Sequence, residues 1–175
     1  DMVERLGRLE GKVAIVTGAG TRGEGVGNGK AAATLFAREG ARVVLVDLEI
    51  DRAKETLADI EAGGGIASAF QADVTSDEQC KALADFAAAQ YSRLDILDNN
   101  VGNSHSATVT EIDPADWDSI MELNVKSMML TSRHAIPLMK ETGGGSIINI
   151  ASIAGLRASK STVYTASKAA VIGLT

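Results

Sequence analysis

The hydrophobic positions of the chain form short apolar runs separated by longer stretches with helical spacing. The short runs, several rich in β-branched residues, predict five strands, at 12–17, 42–46, 66–72, 95–98 and 146–150. Amphipathic or alanine-rich stretches between them predict helices at 30–39, 50–62, 77–90 and 114–140, with a last helix beginning near 160. Strands that alternate with helices predict a parallel sheet covered by helices on both faces. We therefore predict one doubly wound, three-layer α/β domain spanning 1–175, with strand order 3-2-1-4-5.

Composition and charge exclude several classes of protein. The 175 residues are 45% hydrophobic and 23% charged, which is typical of a globular domain with a real core. The net charge of −6 and scattered basic residues argue against nucleic acid or an anionic membrane as a partner. A single cysteine, Cys80, excludes an internal disulfide framework, and no apolar run approaches the ~18 residues of a membrane span. We expect no membrane partner and a cytoplasmic location.

Glycines crowd the turn after the first predicted strand. They run from Gly18 to Gly29, a helical pattern follows from Lys30, and the next predicted strand ends at Asp47. This order is typical of a dinucleotide-binding unit. Glycines let the backbone approach a pyrophosphate, the helix N-terminus attracts its charge, and the carboxylate accepts hydrogen bonds from a ribose. The alternative interpretation is a flexible turn between two core elements.

Three polar residues near the end of the sequence indicate proton-transfer chemistry. Tyr164 and Lys168 are four residues apart and therefore share one helix face, where a cation favours the phenolate form of a tyrosine. Ser152 follows the fifth predicted strand almost at once, and its hydroxyl can hold a substrate oxygen beside the phenol. The three residues together suit a carbonyl and its alcohol. The spacing alone is weak support, because tyrosine and lysine are common on exposed helix faces.

Taken together, these motifs resemble the short-chain dehydrogenase/reductases, a family of single-domain Rossmann oxidoreductases. The matching residues are Thr17-Gly18 with its glycine loop, Asp73-Val74, Asn99 to Gly102, Asn124, Ser152, and Tyr164 with Lys168. The resemblance implies hydride transfer between NAD(H) and a small secondary alcohol or ketone. It implies a catalytic tetrad in which Tyr164 is the general acid/base, Ser152 polarises the carbonyl, Lys168 binds the nicotinamide ribose and Asn124 holds a water for proton relay.

The same resemblance implies a cofactor site built from the loop and the strand ends. Asp73 and Val74 would contact adenine, and Asn100 and Gly102 would line the wall beside a ribose. Asp47 favours NAD, since a carboxylate there would repel a 2′-phosphate. Arg22 leaves NADP open. No metal is expected, and the full set of cofactor residues is Gly18, Arg22, Gly27, Gly29, Asp47, Leu48, Asp73, Val74, Asn100, Val101, Gly102, Tyr164 and Lys168.

Two local features depart from the family pattern. The glycine loop is long, so either Gly27 and Gly29 or Gly23 and Gly25 take the place of the later two family glycines. We prefer the first pair because it preserves the helix length and the spacing to Asp47. Asp98 occupies a strand position that is normally apolar, and a buried carboxylate needs partners or its pKa rises.

The chain is also shorter than the members of that family. We expect a fragment that lacks the later strands, with the fifth strand left at a sheet edge.

The runner-up function is a catalytically silent dinucleotide-binding sensor or scaffold. The apolar face of 111–140 is compatible with a homodimer or homotetramer. Substrate identity stays open among ketoacyl thioesters, sugars, sterols and diols. Part of the pocket would be lined by Ser104, His105, Ile153, Ala154, Leu156 and Arg157.

Overall fold

A single parallel sheet forms the centre of the protein in the computed structural model, which describes residues 6–23, 25–157 and 159–175. Its strands lie in the order β3-β2-β1-β4-β5, and every neighbouring pair is parallel. The predicted fold class and strand order are therefore confirmed. The strands are β1 (Val13–Thr17), β2 (Arg42–Asp47), β3 (Ile66–Gln71), β4 (Ile96–Asn99) and β5 (Ser146–Asn149).

Helices flank this sheet, and most begin and end within two residues of the predicted positions. The exception is the stretch predicted as one helix over 114–140, which is divided by a π-helical turn at Glu122–Lys126. A 3-10 turn at Ile153–Gly155 follows β5. No helix in the described ranges has the length and apolar character needed to cross a membrane. The helices are α1 (Asn28–Arg38), α2 (Ile50–Ala62), α3 (Asp77–Tyr91), α4 (Pro114–Met121), α5 (Ser127–Glu141) and α6 (Thr162–Leu174).

Both faces of the sheet are buried, as expected for parallel strands covered by helices. Successive strand residues point to opposite faces. Val44 therefore packs in the core with α3 and α5, whereas Val43 packs with α1 and α2. The same alternation holds for Ile15 and Val16 of β1. β1 and β2 are therefore almost entirely apolar, because the side chains on both faces of each strand are buried.

Several helix signals in the sequence act as expected. Gly40, just after α1, has φ +97, a conformation that suits glycine at the C-terminal end of a helix. The Ser76 hydroxyl accepts a 3.4 Å hydrogen bond from Gln79 N at the start of α3. Asp113 accepts one of 2.8 Å from Ala115 N, and Pro114 is the first residue of α4. These local contacts define where the helices begin.

Two buried aspartates, Asp95 just before β4 and Asp98 within it, differ sharply in their partners. Burial alone would raise the pKa of Asp95, but hydrogen bonds from Arg93, from Val13 N and from Lys12 outweigh it and hold the pKa at about 2. Asp98 lies between Val16 and Ile148 in neighbouring strands and is 3% exposed. Its Oδ1 has no hydrogen-bond partner in the described part of the chain, and burial raises its pKa to about 6. The departure noted in the sequence is therefore an unsatisfied buried carboxyl group.

Candidate active site

A cleft of about 340 Å³ opens where β1, β2 and β4 end. Its position follows the general rule for open α/β sheets, in which ligands bind at the carboxyl ends of the strands. The structure brings together every predicted cofactor residue except Tyr164 and Lys168. The predicted residues that line the cleft are Gly18, Arg22, Gly27, Gly29, Asp47, Leu48, Asp73, Val74, Asn100, Val101 and Gly102.

Close packing of the glycine loop separates the two alternatives left open by the sequence. A side chain at Gly29 would collide with the Gly18 carbonyl oxygen, and its Cβ would lie 2.6 Å from Asn100 Nδ2. A Cβ at Gly27 would lie 3.3 Å from the carbonyl oxygen of Gly20. By contrast, Gly23 and Gly25 have open space around them and positive φ angles of +81 and +94. Of these two pairs, Gly27 and Gly29 are therefore the one at which the chain approaches itself closely.

The first turn of α1 is suited to an anion. Gly27 precedes the helix and supplies no capping side chain, and the first turn contains no acidic residue. The first backbone N–H groups of a helix lack partners within it, and the helix dipole adds partial positive charge at that end. Asn28 and Gly29 of this turn line the cleft. The arrangement is able to bind a phosphate group.

Asp47 also lines the cleft and is held in a fixed orientation. Its Oδ2 accepts a 3.0 Å hydrogen bond from Gly20 N, and its Oδ1 accepts one of 3.1 Å from Glu49 N. A side chain at Gly20 would collide with Arg52, and its Cβ would lie 2.8 Å from Asp47 Oδ2. Gly20 lines the cleft but was not among the predicted cofactor residues. Its place inside the same glycine-rich loop was the only signal for it.

Asn100 joins the ends of β1 and β4. Its backbone N–H donates to Thr17 Oγ1 at 3.0 Å, and its Nδ2 donates to Thr17 O at 3.0 Å and to Gly18 O at 3.2 Å. Asp73 is fixed separately, because its Oδ1 accepts from both Thr75 N and Thr75 Oγ1. These bonds hold the cleft walls in place without a ligand.

Asn124 lies inside the π-helical turn and is fully buried. Its Nδ2 donates to Asn103 O and to Ser167 Oγ, both at 2.9 Å, and its Oδ1 accepts from Asn103 N at 2.8 Å. Ser167 in turn donates to Tyr164 O at 2.8 Å. Asn124 therefore connects the loop after β4 to the helix that carries Tyr164 and Lys168. Asn103 and Ser167 were not predicted, since neither belongs to a motif spacing.

The Lys168 ammonium is buried beside the cleft wall. The residue is 3% exposed, and its Nζ donates a 2.5 Å hydrogen bond to Ile150 O. A Cβ built on Gly102 would lie 3.4 Å from Nζ, and Nζ stands 5.8 Å from the centre of the Tyr164 ring. Burial lowers the pKa of Lys168, and among the described residues no carboxylate lies within ion-pair distance of it. The cation therefore retains two donor hydrogens that a ligand beside Gly102 would approach.

Two hydroxyl groups nearby keep their protons free. Ser152 Oγ accepts a 3.1 Å hydrogen bond from Ala154 N and so caps the 3-10 turn. Neither its proton nor the Tyr164 hydroxyl has an acceptor within 6–23, 25–157 or 159–175. Capping and ligand binding are compatible here, because the cap uses only a lone pair of the Ser152 oxygen.

Comparison with known proteins agrees with this geometry. A family model described as short chain dehydrogenase matches residues 12–175. The chain belongs to the short-chain dehydrogenase family. It is 40% identical over 168 residues to an uncharacterized oxidoreductase of Thermotoga maritima. The aligned region covers 95% of this chain and 64% of that protein. The chain thus spans less than two thirds of the length of this relative.

Solved members of the family share the fold. A short chain dehydrogenase from Mycobacterium smegmatis superposes with a TM-score of 0.92 at 35% identity, covering 99% of this chain and 72% of that one. A 7 alpha-hydroxysteroid dehydrogenase complexed with NADH and 7-oxo glycochenodeoxycholic acid gives a TM-score of 0.89 at 40% identity, covering 96% of this chain and 64% of that one.

The loop that follows the family's Asn99–Gly102 turn contacts two helices. His105 Nε2 lies 3.2 Å from Asp116 Oδ2 of α4, and the His105 carbonyl oxygen accepts a hydrogen bond from Ser161 Oγ just before α6. Thr162 N also donates to Ala107 O at 3.1 Å. His105, expected from the sequence to line part of the substrate pocket, thus lies in a connection between this loop, α4 and the start of α6.

Proposed function

We propose that this chain carries the cofactor site and the catalytic tetrad of an oxidoreductase that interconverts a secondary alcohol and a ketone with NAD(H). The observation that carries the proposal is the position of the Lys168 ammonium. It is buried against Gly102 at the wall of the glycine-loop cleft, and Tyr164 lies one turn away on the same helix. The buried ammonium group therefore lies between the cleft, which would hold a nucleotide, and Tyr164, which would transfer a proton.

The residues of the cleft fit a dinucleotide. The free N-terminus of α1 suits a pyrophosphate, and the tight contact between Gly18 and Gly29 lets the backbone approach it. Asp47 presents a carboxylate to ribose hydroxyls, which supports NAD over NADP. When bound, the nicotinamide supplies or accepts the hydride. We propose that the predicted cofactor residues hold this group, with Lys168 donating to its nicotinamide ribose.

Tyr164 and Ser152 would handle the substrate oxygen. In the reducing direction the Ser152 hydroxyl donates a hydrogen bond to the carbonyl oxygen, and Tyr164 transfers its proton to that oxygen as negative charge develops there. The Lys168 charge stabilises the resulting phenolate. Asn124 would fix the loop after β4 relative to the helix that carries Lys168, and it would bind the water that relays a proton from solvent. In the oxidising direction the same groups act in reverse.

Removal of one hydroxyl tests the assignment. Tyr164→Phe should lower kcat for ketone reduction by about 10²- to 10⁴-fold, the usual contribution of a general acid. NADH affinity should change little, because the lost group contacts the substrate. Tyr91→Phe is the matched control, since the Tyr91 hydroxyl forms a hydrogen bond with Ser68 of the edge strand β3 and does not line the cleft. If Tyr164→Phe keeps wild-type kcat, Tyr164 is not the general acid. If the wild type binds NADH and reduces no ketone, the silent sensor or scaffold becomes the better description.

We also propose a homo-oligomer for the working protein. Met129 and Ile136 of α5 are 40% and 39% exposed, and a helix that exposes large apolar side chains is a common subunit contact. Light scattering after size exclusion should give a dimer or tetramer mass, and Ile136→Glu should reduce it. A monomer mass at all concentrations would contradict the proposal.

A further inference from the structure

One peptide group of the glycine loop connects helix α2 to Asp47. At its carbonyl end, Ala19 O accepts a 2.8 Å hydrogen bond from Thr56 Oγ1 of α2. At its amide end, Gly20 N donates a 3.0 Å hydrogen bond to Asp47 Oδ2. A peptide group is planar, so its C=O and N–H point in opposite directions and turn together. The hydrogen bond from Thr56 therefore orients the N–H that holds the Asp47 carboxylate.

Thr56 is a polar residue at a core position of α2. It is fully buried, and the same helix also buries Ala53 and Ile60, which helical spacing places on the same face. An apolar side chain would fill such a position without a hydroxyl that needs a partner. The hydroxyl makes its shorter hydrogen bond to the loop at Ala19 O and a longer one, of 3.4 Å, to Arg52 O within its own helix. The physical reason for a threonine at this position thus lies in the glycine loop.

Thr56 satisfies a carbonyl group that water does not reach. Ala19 is fully buried, and its own N–H donates to Val46 O at 3.0 Å. Among the described residues, Thr56 is the only donor to Ala19 O. Loss of the hydroxyl would leave this carbonyl unpaired, and an unpaired buried carbonyl favours rotation of the peptide towards another partner. Such a rotation would turn Gly20 N away from Asp47.

Asp47 depends on this peptide for one of its two anchors. Gly20 N holds its Oδ2, and Glu49 N holds its Oδ1. Together they fix a carboxylate that is 9% exposed and lines the cleft. A hydrogen bond received at the carbonyl end of a peptide also polarises the group and strengthens its N–H as a donor. Without Thr56 the first anchor weakens, and the carboxylate is free to turn away from a ligand.

We infer that Thr56 is a positioning residue for the cofactor. Through the Ala19–Gly20 peptide it orients Asp47 towards ribose hydroxyls, and it thereby strengthens the preference for NAD(H) over NADP(H). The inference rests on the proposed function, because it uses Asp47 as the acceptor for a ribose. Thr56 itself does not line the cleft. A threonine that served packing alone would affect stability and would leave the cofactor preference unchanged.

The ratio of two dissociation constants tests this inference. Thr56→Val removes the hydroxyl and keeps a similar shape, and it should raise the Kd for NADH about fivefold, the order of one hydrogen bond. The Kd for NADPH should stay within about twofold, because a 2′-phosphate gains nothing from an oriented carboxylate. Thr56→Ser should restore the wild-type ratio, and Thr56→Cys, which has a weak donor, should lie between serine and valine. An unchanged ratio in Thr56→Val would overturn the inference.

Thr142→Val is the matched control. Thr142 Oγ1 also donates to backbone carbonyl oxygens, including Leu94 O at 3.3 Å, but the residue follows α5 and does not line the cleft. This variant should leave both Kd values unchanged. A double-mutant cycle adds a second comparison, since Thr56→Val should not weaken NADH binding further once Asp47→Ser has removed the carboxylate. An equal loss in that background would overturn the action of Thr56 through Asp47.

A measurement without cofactor separates this inference from the proposed function. Hydrogen exchange of Gly20 N–H, followed by NMR, should be about tenfold faster in Thr56→Val than in Thr142→Val, because its bond to Asp47 is weakened. Equal exchange in the two variants would overturn the inference. If the wild type bound neither NADH nor NADPH, the proposed function would fail, and faster exchange in Thr56→Val would still support the role of Thr56 in orienting Asp47.

Discussion

Asn103 and Asn124 exchange two hydrogen bonds, one in each direction. Asn103 N donates to Asn124 Oδ1 at 2.8 Å, and Asn124 Nδ2 donates to Asn103 O at 2.9 Å. A side-chain amide is able to satisfy a backbone N–H and a backbone C=O at the same time, and the π-helical turn at Glu122–Lys126 places Asn124 where it does so. The interruption of the helix is thus coupled to the shape of the loop that borders the cleft.

Asn124→Ala should destabilise the protein by about 2–4 kcal/mol, because it removes the partner of the Asn103 backbone N–H and C=O and of the buried Ser167 hydroxyl. Urea unfolding measures the loss. Ser132→Ala is the control, since it removes a single long hydrogen bond among the described residues, the 3.3 Å one from Asn99 Nδ2, and it should cost less than about 1 kcal/mol. Equal stability of the two variants would show that the exchange contributes nothing.

Gly29→Ala should abolish NADH binding, because the added methyl group collides with the Gly18 carbonyl and pushes the helix away from the loop. Gly173→Ala provides the matched control within α6, where a Cβ meets nothing within 4 Å. That variant should bind NADH normally and gain up to about 1 kcal/mol in stability, as glycine-to-alanine changes in helices do. Titration of NADH fluorescence distinguishes the two. Normal binding by Gly29→Ala would contradict the assigned role of the close contact.

Asp47→Ser should shift the cofactor preference towards NADPH by about tenfold or more, which corresponds to roughly 1.4 kcal/mol. The reason is the loss of a carboxylate whose charge opposes a 2′-phosphate. The ratio of the two dissociation constants is the readout. Arg22→Gln in the same background should reverse part of the shift, since Arg22 lines the cleft and is the cation available to a phosphate there. A wild type that already prefers NADPH would overturn the assignment to NAD.

Asp98 should make the protein less stable as the pH rises. Its folded-state pKa of about 6 lies above the ordinary value of 3.8. The stability contributed by the protonated carboxyl group is therefore fully present below pH 3.8 and is lost as the pH rises through 6. Asp98→Asn should therefore gain up to about 3 kcal/mol relative to the wild type at pH 8 and lose this advantage at pH 4. Urea unfolding at the two pH values measures it.

The control for this pH effect is Asp85→Asn on α3, where the carboxylate is 65% exposed. Its stability relative to the wild type should stay within about 0.5 kcal/mol at both pH values. If Asp98→Asn differed from the wild type by the same amount at pH 4 and pH 8, the carboxyl group would not titrate in this range.

The order of elements was readable from the sequence because it depends on local periodicity. Apolar runs of strand length and helical spacing between them fix α/β alternation, and alternation fixes a parallel sheet. The cleft residues were readable for a related reason. Gly18, Asp47, Asp73 and Asn100 each come at or just after a strand end, and in a parallel sheet those ends lie at one edge.

Partners that meet across long stretches of chain were not readable. Asn103 and Ser167 reach Asn124 from 21 and 43 residues away, and no spacing rule connects them. The stretch predicted as one helix over 114–140 is helical throughout, but its π-helical turn at Glu122–Lys126 was not predicted, since no local pattern indicates it.

The sequence by itself determined the alternation, the sheet and the family-like set of polar residues. Only the tertiary structure decided which glycines pack closely, which buried aspartate is satisfied and where the Lys168 ammonium lies. The physical reason is that propensity and periodicity act between neighbours along the chain. Burial and hydrogen bonding depend instead on groups that folding brings together. Asp95 and Asp98 are three residues apart, yet the pKa of the first is lowered and that of the second is raised.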